Sequence, residues 1–115
     1  MISLDTNVLA RYYVASSDAP SQTQAAAARQ LLESGQSLFV SKTVVLELEW
    51  VLRGYYKSTP KDVLTVLLHL LAMPNVDVED RAAAELAAAA LADGFDFADA
   101  LHHASSRHGT TSRYQ

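Results

Sequence analysis

The residues best placed to do chemistry are carboxylates. Asp5 ends a short apolar run, Glu47 sits inside a patterned helix, and Asp96 and Asp99 lie three apart where another helix begins. Three carboxylates brought within several ångströms repel strongly, and a fold assembles them only against a compensating cation. Mg2+ or Mn2+, hard ions that want oxygen ligands and bound water, suit such a set. With one or two metals the cluster can activate a water and neutralise charge on a phosphodiester in flight. The implied chemistry is phosphodiester hydrolysis, although periodicity by itself does not show that the three acids meet.

Each acid also has a purely local reading. Asp5 at a strand end can cap the helix that follows. Glu47 lies near the start of its helix, where the dipole favours an acid. At 100° per residue it falls roughly 60° from Val44, at the border of the apolar stripe, with Glu49 about 200° further round. Asp96 and Asp99 can be a cap and a first-turn acid; in the other reading Asp96 caps while Asp99 turns toward Asp5.

The elements that must position them follow from hydropathy patterning. Met1–Asp5 reads as a buried strand, and Val8–Val14 as a short helix capped by Thr6 or Asn7. Ala15–Ser21 reads as a loop, Gln22–Glu33 as a helix closed by Gly35, and Ser37–Ser41 as a strand. In the predicted helix Thr43–Tyr56, Val44, Val45, Leu48, Val51, Leu52 and Tyr55 form one apolar stripe. Thr59 and Pro60 open a helix through Ala72, apolar nearly all round and so expected to be heavily buried. Asn75–Val78 is a third strand, Glu79–Ala92 an Ala-rich helix ended by Gly94, and Phe97–His108 the last helix. The order β-α-α-β-α-α-β-α-α needs crossovers, which implies an α/β fold with a parallel sheet covered on both faces. In such a sheet, ligands bind beyond the carboxyl ends of the strands, where Asp5 stands.

Composition bounds the rest. The 115 residues are 50% hydrophobic and 19% charged, as expected of one globular domain. Cysteine is absent, so disulfides and thiolate metal sites are excluded, which fits a cytoplasmic location. No apolar run reaches membrane-spanning length, and no basic segment precedes a long apolar one, so neither a membrane anchor nor a signal peptide is expected. The net charge of −4 argues against a passive nucleic-acid-binding module. It argues less against an enzyme whose acids hold cations, because the metal reverses the local field.

Other residues have two readings each. His103, four residues after Asp99, can pair with it, though His102 and His103 also read as polar residues on a half-exposed helix. Arg11, and the group Lys42, Arg53, Lys57 and Lys61, can face a phosphate or simply solvent. Leu46 and Trp50 sit behind the main stripe of their helix and mark either a second core or an interface.

Three segments carry a family resemblance. LDTNVLARY resembles the first motif of PIN domains, SKTVVLELEWVLR the second with Glu47 as its acid, and GFDFADALHHASSRHG the third with Asp99 as its acid and Asp96 as support. They stand in family order and cover nearly the whole chain. The most similar group is the VapC-like toxin ribonucleases. The resemblance implies a three-layer α/β/α domain with a short parallel sheet. It implies Asp5, Glu47 and Asp99 as Mg2+ or Mn2+ ligands, an RNA substrate, a VapB-like antitoxin partner and a homodimer. The family usually continues to a further strand with a Thr-x-Asp signature; here the chain runs Gly109–Gln115 without it. The expectation is therefore a C-terminally truncated member, one domain over 1–115, with 109–115 an irregular tail and the last strand missing. Met1–Asp5 is then left with an open edge, and the metal is held more weakly than by four acids. The competing readings are a catalytically impaired PIN fragment that binds an antitoxin or dimerises, and a response-regulator-like domain, whose later phosphoacceptor Asp and Lys are not found.

Overall fold

The computed structural model describes residues 1–14 and 19–113, with side chains described at 1–14 and 23–105. The elements are β1 (Ile2–Ser3), α1 (Thr6–Tyr13), α2 (Ala19–Leu32), β2 (Leu38–Val40), α3 (Lys42–Gly54), α4 (Pro60–Ala72), β3 (Val76–Val78), α5 (Arg81–Ala92) and α6 (Phe97–Arg113). This is the order the sequence predicts. The three strands form one parallel sheet in the order β1-β2-β3, with Ile2 opposite Leu38 and Leu38 opposite Val76. Helices dominate, and the short parallel sheet among them makes an α/β/α fold.

Local chemistry sets the boundaries. Ser41 Oγ accepts from the Val44 N–H at 3.2 Å and Thr59 Oγ1 from the Asp62 N–H at 3.2 Å, so each caps its helix. Pro60 then occupies the first turn of α4, where a missing N–H has no cost. Gly94, at φ +92°, makes the left-handed turn out of α5, and its N–H reaches the Leu91 carbonyl. Arg81 ties two elements together: its guanidinium donates to the carbonyl of Leu71 at the end of α4 and to that of Val76 in β3.

The core is aliphatic. Leu9, Leu38, Val40, Leu48, Leu52 and Phe97 are among its fully buried side chains. Burying each such side chain stabilises by about 1.5–3 kcal/mol. Ala83, Ala84, Ala87 and Ala88 make the buried face of α5, and their small size lets α6 pack closely on it.

Five expectations change. Met1–Asp5, expected as a buried strand, is strand only at Ile2–Ser3, and both of those residues are exposed, because β1 is an edge strand paired on one side alone. The α3 stripe is rolled: Val45, Leu48, Glu49 and Leu52 are buried, whereas Tyr55 is 76% exposed. Tyr55 ends the helix as its C-cap and projects past the core. Only Val63, Leu67 and Leu70 of α4 are fully buried, and Leu68 is 51% exposed, because α4 is covered on one side. The backbone of α2 starts at Ala19 rather than Gln22, since Pro20 is tolerated in a first turn. Residues 109–113, expected as an irregular tail, continue α6 instead. A single Gly109 costs a helix about 1 kcal/mol relative to Ala, too little to end it by itself. Residues 15–18 of the expected loop and residues 114–115 of the expected tail lie outside the described residues.

Candidate active site

Asp5 follows β1 directly and is the N-cap of α1. Its Oδ1 accepts the Val8 N–H at 2.9 Å, so the cap is Asp5 rather than Thr6 or Asn7. The cap fixes the carboxylate at the carboxyl end of the sheet and leaves Oδ2 free of that duty. Thr6, the next residue, donates from Oγ1 to Glu47 Oε1 at 3.3 Å. This bond crosses from α1 to α3, two helices that pack on each other, and ties Glu47 to the residue that follows Asp5. Glu47 is exposed.

Asp96 and Asp99 divide their work. Asp96 Oδ2 accepts the Asp99 N–H at 2.9 Å and so caps α6, while the Asp99 side chain is exposed in the first turn. α3, which carries Glu47, touches both α1 and α6. Among the described residues, no three His, Cys, Asp or Glu side chains lie close enough together to share a metal ion. Each acid is engaged locally instead, Asp5 by its cap, Glu47 by Thr6 and the Asp99 backbone by Asp96. The donor set, carboxylates with one hydroxyl, suits a hard divalent cation in chemistry.

Glu49 is the residue that sequence reading passed over. It is 4% exposed, the one buried charged side chain among the described residues. Its Oε2 accepts from Arg53 Nε at 2.7 Å. That hydrogen bond, with the nearby Asp96 charge adding to it, raises the Arg53 pKa further above its ordinary value. Arg53 is thus the partner of the buried acid of α3. A Glu four residues before an Arg is the favourable orientation on a helix, and that spacing was the signal available.

The remaining residues are placed as follows. His102 and His103 are exposed, and among the described residues no hydrogen bond or ion pair joins either to Asp99. Lys42 pairs with Asp80 at 3.2 Å, and its N–H donates to Glu79 Oε1 at 2.8 Å, which engages it at the end of β3. Trp50 is 64% exposed, while Leu46 is half-buried against the core. An open groove of about 430 Å³ runs from Asp5 and Arg11 on α1 to Gln24, Ala28 and Leu31 on α2.

Asp5 at a strand end, Glu47 on α3 and Asp99 on α6 are thus three carboxylates borne by an α/β fold, and among the described residues they do not gather into one metal-binding cluster. In comparison with known families, a PIN domain model matches residues 2–111. The chain belongs to the PIN domain family, whose members are generally nucleases and generally use divalent metal ions. No curated protein and no solved structure matches. Among the described residues no helix is long and apolar enough to cross a membrane.

Proposed function

We propose that the protein is a Mg2+- or Mn2+-dependent endoribonuclease of the VapC type, the toxin of a toxin–antitoxin pair. The observation that supports this reading is the Thr6–Glu47 hydrogen bond, because Thr6 directly follows Asp5 and Glu47 is the second acid of the reading. Asp5, Glu47 and Asp99 would hold the metal, and Asp96 supports Asp99 through its backbone. When bound, the ion supplies an activated water and a positive charge for the phosphodiester. Asp5 contributes a fixed orientation, because its cap bond removes its freedom to swing. Thr6 contributes the same for Glu47.

Two partners belong to this reading. The groove between α1 and α2 has an apolar floor at Ala28 and Leu31 and charges at its rim, which suits an amphipathic antitoxin segment. The exposed Trp50 suits a contact with a second copy, and Trp50→Ala checked by sedimentation tests it.

The decisive experiment is RNA cleavage with and without Mn2+, by the wild type and by Asp5→Asn, Glu47→Gln and Asp99→Asn. Cleavage that needs the ion and fails in all three variants supports the reading. Unchanged cleavage and unchanged growth inhibition in the variants would remove it. Antitoxin-peptide binding with no ion-dependent cleavage would favour an impaired PIN domain that acts as a binding module.

A further inference from the structure

The other end of α1 carries a cluster that the acid site does not use. Tyr12 and Tyr13 meet edge to face at 4.9 Å between ring centroids. Tyr13 meets the His69 ring of α4 edge to face at 5.5 Å, and its hydroxyl is 2.8 Å from His69 Nδ1. Tyr12 and His69 are the two rings that come nearest to parallel, tilted by 31° with centroids 6.3 Å apart. They line an open cavity of about 440 Å³ together with Arg29 of α2 and Glu33 just after its end. Glu33 Oε2 accepts the Tyr12 hydroxyl at 3.1 Å.

We propose that this cavity is a nucleotide-binding subsite in which a base of single-stranded RNA stacks against Tyr12 and His69. A planar ring between two others needs about 7 Å, twice the ~3.5 Å contact distance. The 6.3 Å spacing is less than that and the Tyr13 hydroxyl holds His69 at Nδ1, so the base stacks on the exposed His69 side rather than being enclosed between the two rings. Glu33 accepts from an exocyclic amino group, and Arg29 meets the phosphate. The charge balance explains why stacking is the right device here. The chain carries −4, so phosphate neutralisation gives it little hold on RNA, whereas base–aromatic stacking works whatever the net charge. Tyr12 lies roughly 11 Å along α1 from Asp5, so a short oligonucleotide can engage both ends. The polymer's identity as RNA rests on the nuclease reading above; the stacking site itself does not.

The test separates the two. Binding of a fluorescein-labelled, uncleavable 2′-O-methyl RNA pentamer is followed by anisotropy in EDTA, with cleavage of ordinary RNA measured apart. The expected result is binding that weakens by about 5–100-fold in His69→Ala and Tyr12→Leu. His69→Phe, which keeps a ring, should retain it. The slope of log K on log salt should stay near about −0.7, the value for one phosphate. His69→Ala binding as tightly as wild type, with its circular dichroism unchanged, overturns the site. So does a wild type that cleaves RNA yet does not bind the pentamer. Ring-dependent binding by a protein that fails to cleave supports the site and removes the nuclease reading instead.

Discussion

Removing Arg53 should destabilise the protein far more than removing an ordinary surface arginine. Glu49 is 4% exposed, and its carboxylate receives both the Nε bond at 2.7 Å and a longer one from Nη2 at 3.5 Å. Breaking a fully buried pair by deleting one partner costs about 3–5 kcal/mol, because a buried charge is left uncompensated. The Arg53 side chain is 52% exposed, so water replaces part of what it gives, and the figure falls to about 1–2 kcal/mol. For a domain of this size that lowers Tm by roughly 4–10 °C. Urea denaturation of Arg53→Ala measures it. The double variant Glu49→Met/Arg53→Ala should recover most of the loss, since an apolar side chain of similar length needs no partner. If Arg53→Ala stays within about 0.3 kcal/mol of wild type, or the double variant is the less stable of the two, the carboxylate does not depend on Arg53 and the reasoning fails.

Other outcomes follow from the same geometry. Asp5→Asn should keep its stability within about 0.5 kcal/mol, because Asn caps as well as Asp, yet lose Mn2+ binding in calorimetry; Asp5→Ala should lose both, with about 1 kcal/mol of stability. Thr6→Val should leave Tm nearly unchanged, since the bond it deletes is long and exposed, while reducing RNA cleavage several-fold through a misplaced Glu47. Burial, with the neighbouring Tyr12 adding to it, raises the Tyr13 pKa well above the ordinary phenol value of 10.0. The folded state then holds the proton more tightly than the unfolded one. This stability is complete below pH 10 and is lost above it, at up to about 1.4 kcal/mol per pH unit. Tyr13→Phe should therefore show a shallower fall in chemical-denaturation midpoint between pH 10 and 11.

How much of this was legible depended on how local each signal was. The nine elements came through in order because each strand is a short apolar run and most helices carry a cap or glycine stop within a few residues. Thr59-Pro60, read as a helix start, is one. The Asp96 cap of α6 was also readable, since its partner is only three residues away. The roll of α3 was not readable. Counting hydrophobic residues centres the buried face among Val44, Leu48 and Tyr55, and a charged residue at 49 counts against burial; Arg53 reverses that by supplying a partner. The relation between Thr6 and Glu47 was hidden for a different reason. It joins residues on two helices, and only packing decides which neighbours meet.

The arrangement of the sheet bears on how the chain reaches this structure. Every bridge in it joins residues a full strand-helix-helix unit apart, Ile2 with Leu38 and Leu38 with Val76. Neither outer strand pairs with the other, so β2 must close one large loop toward the N-terminus and a second toward the C-terminus. Helical turns form in microseconds or less, whereas such closures are slow. The pace of folding is thus governed by three residues, Leu38, Phe39 and Val40, and shortening a side chain there should slow refolding more than an equal loss of stability in α5.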